Sequence, residues 1–185
     1  DNLAGVLGRM GRLDEAMDKR RRALAMRESA SPPDLPGLAS SWNNIGVAHQ
    51  KAKRYDEALA AYEKALALRR SVYGEDHPEV ASALGNVGEI HEARGDLKKA
   101  LSFFTQAAAM KEKAVGPAHD EVGYWLAAQG RVEVALKRVP EGTRHLERAT
   151  AILEAAGADV EALASARFEL ARALSLHPRV LLLDE

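Results

Sequence analysis

Apolar residues recur along this chain at the three- and four-residue spacing of an α-helix rather than in alternation. Ala58, Leu59, Tyr62, Ala65 and Leu66 form one stripe, and Ala100, Leu101, Phe104, Ala107 and Ala108 form another. Positions spaced this way return to one side of a helix, so each stripe predicts a helix with one buried face. Glycine and proline punctuate the pattern at Gly74-Glu75-Asp76-His77-Pro78, at Gly116-Pro117-Ala118-His119, and at Pro32, Pro33 and Pro36. Acidic pairs open two helices (Asp14-Glu15, Asp56-Glu57) and basic residues close them (Arg27, Arg69-Arg70), in the sense the helix macrodipole favours. The pattern predicts helices over 1–10, 14–29, 37–52, 55–73, 78–94, 97–115, 119–137, 140–156 and 160–176.

The stripes repeat with a period of 42 residues. Trp42-Asn43-Asn44-Ile45-Gly46 superposes without a gap on Leu84-Gly85-Asn86-Val87-Gly88, and the register continues through Ala58/Ala100, Tyr62/Phe104, Ala65/Ala107, Gly74/Gly116 and His77/His119. One step back sets Leu13-Asp14-Glu15-Ala16 against Tyr55-Asp56-Glu57-Ala58, and one step forward sets Gly130 against Gly88 and Leu146 against Phe104. Each period holds two helices. The first carries a glycine at one fixed position, Gly46, Gly88 or Gly130. Glycine inside a helix costs about 1 kcal/mol relative to alanine, so its recurrence requires a packing reason.

Composition narrows the fold class further. Alanine supplies 35 of 185 residues, aromatics only 5%, and β-branched residues are scarce. Ala, Leu, Glu, Arg and Lys lose little entropy on a helix, so the chain is expected to be all-α, with helices packed closely through methyl groups. The formal net charge is −1, which argues against nucleic acid or an anionic membrane as the main partner. The absence of cysteine excludes thiol catalysis and cysteine-held metal. No apolar run approaches the roughly 18–20 residues of a membrane-spanning helix. The chain opens at Asp1-Asn2-Leu3 without Met or a signal peptide and reads as a segment of something longer, with a cytoplasmic location expected.

The spacing from Trp42 and Gly46 through Ala58, Tyr62 and Ala65 resembles the tetratricopeptide repeat. The 42-residue unit, with Tyr73-Gly74-Glu75-Asp76-His77-Pro78-Glu79-Val80-Ala81 between units, is similar to the kinesin light chain subtype. The resemblance implies an α-solenoid of antiparallel helix pairs. Its units fall at about 1–35, 36–77, 78–119 and 120–160, a partial fifth at 161–176 is slipped by one residue, and an apolar tail follows at 177–185. It also implies a non-catalytic protein-interaction module that grips peptide or helical segments of a partner in a concave groove, with no cofactor or metal.

Asn2, Asn44 and Asn86 resemble the family's peptide-facing asparagines, and Ala128 ends the series in the fourth unit. A carboxamide offers donors and an acceptor to a peptide backbone whatever its side chains are. Arg9, Lys51 and Asn43 belong to the first two units, whereas Glu89 and Glu92 belong to the third. A groove basic at one end and acidic further on would take a partner with an acidic segment.

Other features carry less. Lys19-Arg20-Arg21-Arg22 points in several directions around a helix and is expected to be solvated, and His77 and His119 are expected to start helices. No serine sits in a nucleophile elbow, no His/Asp/Glu set has metal-ligand spacing and no phosphate loop is present, so no catalytic residue is assigned. Val180-Leu181-Leu182-Leu183-Asp184-Glu185 resembles the Walker B strand of ABC-type ATPases, but stands without a phosphate loop or signature motif. An ATPase fragment is thus the weak alternative. The stronger one is a regulatory or oligomerisation arm of a larger bacterial signalling protein, a kinase or nucleotide-switch ATPase. The tail is also expected to fold back on exposed helix surface and to support self-association.

Overall fold

In a computed structural model, the chain is described over residues 12–176, together with Ala4 and Met10 and without the side chains of Leu13 and Asp14. The described residues form eight helices and no strand, an all-α helical-repeat fold of the solenoid class. They are α1 (Leu13–Glu28), α2 (Leu35–Lys51), α3 (Tyr55–Tyr73), α4 (Pro78–Ala93), α5 (Leu97–Val115), α6 (Asp120–Ala135), α7 (Val139–Ala155) and α8 (Val160–Leu176). The expected helix 1–10 and the tail 177–185 lie outside the described residues. Elsewhere the expected boundaries move by two residues at most. The largest shift at a helix start is at α2, which begins at Leu35 rather than 37 and so takes Pro36 into its first turn. Proline is tolerated there because a first-turn N–H has no intrahelical acceptor to lose. The Asp34 carboxylate caps the turn by accepting from the Gly37 N–H at 2.9 Å.

The chain divides into two compact halves, Asp1–Gly95 and Asp96–Glu185. In the first, α1 to α4 pack each against the next. Their core holds Leu24, Leu38, Ile45 and Ala61, with Met17, Leu35, Trp42 and Leu68 packed around it. Tyr62 is 1% exposed and lies against Gly46, where a Cβ would come within 2.6 Å of two ring atoms. This is the packing reason for that glycine. In the second half, Phe104 of α5 stacks with Trp125 of α6 at 6.1 Å between ring centroids. Val134, Leu146 and Ala173 then join α6, α7 and α8, with Ala127 and Leu170 beside them. Gly130 and Gly142 bring α6 and α7 together, since a Cβ on either would meet the other's carbonyl oxygen at 2.8 and 2.7 Å.

The turns follow the same register. Lys53, Gly95 and Lys137, spaced by 42, all have positive φ (58°, 82° and 65°), and each follows the first helix of a pair. His77 and His119 are helix N-caps: each ring Nδ1 accepts a backbone N–H two residues on, from Glu79 at 3.2 Å and Glu121 at 3.3 Å. His77 is extended (φ −94°, ψ 144°), as the residue before a proline must be, and Pro78 opens α4.

Candidate functional site

The candidate residues within the described chain fall on α2 and α4, both in the first half. Helical geometry places Asn43 and Gln50 two turns apart on one side of α2, and Asn86 and Glu89 one turn apart on α4. Two polar rungs join the helices. The Asn86 Nδ2 donates to Asn43 Oδ1 at 2.8 Å, and Gln50 Nε2 donates to Glu89 Oε2 at 3.0 Å. The second rung continues into α3, where the Tyr62 hydroxyl donates to Gln50 Oε1 at 2.6 Å. The same Tyr62 fills the space left by Gly46, so core packing fixes the phenol that orients Gln50.

Asn43, Asn86, Gln50 and Glu89 are half-buried, poised between solvent and the helix contact. Asn44, the residue in 42-register with Asn86, is also half-buried, but Asn43 makes the rung. Adjacent helical positions differ by about 100° in direction, so the periodic asparagine and the bonded one need not coincide. Lys51 is exposed near the end of α2, and Glu92 is half-buried on α4. Asn2 and Arg9 lie outside the described residues, as do Asp184 and Glu185. Gln50 and Tyr62 are site residues that sequence reasoning missed. Spacing offered one signal, since Gln50 follows Asn43 by seven residues and Tyr62 follows Gly46 by sixteen.

His49, next to Gln50 on α2, has a buried Nδ1 that finds no hydrogen-bond partner. Burial pushes its pKa below the ordinary imidazole value. Nearby Glu57 opposes that shift, while Arg54 and Arg21 add to it. Over the basic run of α1, Lys19, Arg21 and Arg22 are exposed and Arg20 is half-buried.

Polar groups in the second half are arranged differently. Glu133, in register with His49 and His91, accepts from Gln129 at 3.2 Å and meets His145 Nδ1 at 2.6 Å. Lys111, 5% exposed at its side chain, reaches Glu121 at 2.7 Å. These groups are paired across α6 and α7 or across α5 and α6, and they serve as internal ties between helices. Among the described residues, no group of three or more His, Cys, Asp or Glu side chains is placed to hold a metal ion. None of the described helices is long and apolar enough to cross a membrane.

The comparisons with known proteins agree with this architecture. The family model for the tetratricopeptide repeat matches residues 1–70 and 37–113. No curated protein matches the sequence. Among solved structures, BtubC (BKLC) from P. vanneervenii superposes with a TM-score of 0.85 at 20% identity, over 94% of this chain and 69% of that one. A Podospora anserina protein described as a kinesin light chain with nearly identical TPR-like repeats gives 0.76 at 21% identity, over 94% and 83%. Aspartyl phosphate phosphatase F from Bacillus subtilis gives 0.82 at 18% identity, over 94% of this chain and 44% of that one. At these identities the likeness is one of fold.

Proposed function

The chain belongs to the tetratricopeptide-repeat family, and we propose that it is a non-catalytic interaction module holding a peptide segment of a partner protein against α2 and α4. Protein interaction in general goes with this fold, and the repeats of the family are typically non-catalytic. The observation that supports this binding face is the Asn43–Asn86 rung at 2.8 Å. It ties two half-buried carboxamides of successive repeats together, and it uses one of Asn86's two N–H donors and one lone pair of Asn43. The remaining donor and acceptor capacity suits a peptide backbone, which presents both in alternation. Tyr62 and Gln50 hold the second rung, so the face is set before a ligand arrives. Lys51, exposed at the end of α2, supplies the charge for an acidic segment of the peptide, and in the sequence Arg9 and Asn2 hold the register positions of Lys51 and Asn44 one repeat earlier. Glu89 and Glu92 on α4 set the opposite preference on the neighbouring helix, with Glu89 bonded to Gln50 next to Lys51.

The test is a selection from a displayed peptide library, followed by fluorescence anisotropy with the selected peptides. Asn86→Ala and Asn43→Ala should each weaken binding about tenfold, as expected for one lost hydrogen bond of about 1–1.5 kcal/mol. The Asn44→Ala/Lys51→Ala double variant should abolish capture of peptides with an acidic segment. Unchanged affinity in all three variants, with melting temperatures intact, would remove this face from the function.

A further inference from the structure

Two basic runs of the sequence meet in the first half. Lys19-Arg20-Arg21-Arg22 lies on α1, while Lys51 ends α2 and Ala52-Lys53-Arg54 form the turn to α3. They meet at His49 in the last turn of α2, because Arg21 and Arg54 both stand close enough to act on its charge. Burial does most to lower the pKa of that ring; Glu57 of α3 opposes the shift, and Arg54 and Arg21 add to it. Arg21, Lys51, Lys53 and Arg54 are all exposed. Among the described residues, none of the four enters an ion pair or a side-chain hydrogen bond. Other arginines of the same half are paired: Arg12 with Glu15 at 2.6 Å, Arg69 with Glu79 at 3.3 Å and Arg94 with Asp56 at 2.7 Å. Nor does the packing period ask for this charge. One repeat on, Glu63 and Asp96 hold the register positions of Arg21 and Arg54, and Ala93 and Gly95 hold those of Lys51 and Lys53.

We propose that Arg21, Lys51, Lys53 and Arg54 form a docking surface for an acidic segment of the partner peptide, a surface that rests on the reading of α2 and α4 as the peptide face. Exposed cations without partners raise the local potential and draw in a segment of opposite charge. Lys51 belongs to both surfaces, so a peptide held at Asn43 and running toward the end of α2 passes from one to the other. Asn43 and Lys51 are eight residues apart, which is about 12 Å of helix and about four residues of extended peptide. Acidic side chains are therefore expected from about the fourth residue past the one bonded at Asn43. The patch favours a peptide over a nucleic acid. Asp18 lies one turn before Arg21 and Glu57 one turn after Arg54, both exposed. A peptide meets those carboxylates with neutral or basic side chains, whereas a nucleic acid carries a phosphate at every residue.

The probe is an acetylated hexaglutamate peptide at low ionic strength, followed by NMR on the full chain through the His49 ring. Bound carboxylates should raise the pKa of His49 from its lowered value toward the ordinary imidazole value of about 6.5. Arg21→Glu combined with Arg54→Glu should weaken hexaglutamate binding at least tenfold and leave the melting temperature unchanged. Lys98→Glu combined with Lys99→Glu, the same change of charge at two exposed residues of α5, should leave binding as it is. In peptides selected from the library, replacing the acidic run by glutamines should cost at least tenfold in wild type and nothing in the Arg21/Arg54 variant. Absence of hexaglutamate binding, binding that leaves His49 unmoved, or equal loss in the two double variants would overturn the docking surface. Tighter binding of hexathymidylate than of hexaglutamate would assign the patch to nucleic acid and overturn it as well. If Asn43→Ala and Asn86→Ala leave the selected peptides unaffected while His49 still responds to hexaglutamate, the peptide face on α2 and α4 fails and the acidic docking surface stands.

Discussion

At residue scale, Gly46 shows most plainly how a fold demand sets a sequence choice. Alanine there would gain about 1 kcal/mol of helix propensity. Its Cβ, however, would sit 2.6 Å from two atoms of the Tyr62 ring, which is buried and tied through its hydroxyl to Gln50. Overpacking of this kind costs about 1–3 kcal/mol, so Gly46→Ala is expected to destabilise the protein in urea unfolding despite the better helix former. A more stable variant would mean the recurring glycine answers to something other than packing. His49 supplies a second residue-scale prediction. Its pKa is lowered in the folded chain by burial, so the unfolded chain takes up the proton first as pH falls. Stability associated with the neutral ring is therefore present above the ordinary imidazole pKa of about 6.5 and is lost as pH drops through that value toward the lower folded one. Comparing unfolding free energies near neutrality and at mildly acidic pH, the His49→Gln variant should lose less stability than wild type. An identical loss in both would show that His49 is not a source of the acid sensitivity.

At the scale of the element, the recurring histidines illustrate what was readable in advance. His77 and His119 stand at the same register position before a helix, and each proves to be an N-cap through Nδ1. Replacing His77 with Ala should cost about 1 kcal/mol, the usual value of a lost cap, whereas Asn or Asp should retain most of it. Thermal melts of the three variants separate these outcomes, and an alanine variant as stable as wild type would show that Pro78 alone starts α4. Helices and turns were legible because every repeat must solve the same packing problem, so apolar residues, glycines and starts recur at 42. The site was legible only in part. Polar rungs depend on the rotation of one helix against the next, and the period, set by apolar contacts, does not encode that rotation. Asn86 was readable, but its partner is Asn43 rather than the periodic Asn44. Gln50 escaped notice because its counterparts one and two periods on are Glu92 and Val134, so no ladder marks it. Lys53 and Lys137 hide a positive φ that only the aligned Gly95 betrays.

At the scale of the whole molecule, the repeat architecture determines how far damage spreads. Each half has its own apolar cluster, Leu24, Leu38, Ile45 and Ala61 in one and Val134, Leu146 and Ala173 in the other. In helical-repeat chains stability is close to a sum of intrinsic repeat terms and nearest-neighbour terms, so a lesion acts most strongly where it is made. Gly46→Ala strikes the contact between α2 and α3. Native-state hydrogen exchange should therefore show amides of α2, α3 and α4 losing most of the variant's total destabilisation, while amides of α6 and α7 lose distinctly less. The matching lesion Gly130→Ala, aimed at the α6–α7 approach, should invert that pattern. The pair of variants matters more than either alone, because a single gradient of protection also arises from fraying at one terminus, whereas a gradient that reverses with the site of substitution can come only from local coupling. Equal loss at every amide in both variants would instead describe one cooperative block, in which the period organises sequence and structure but not stability.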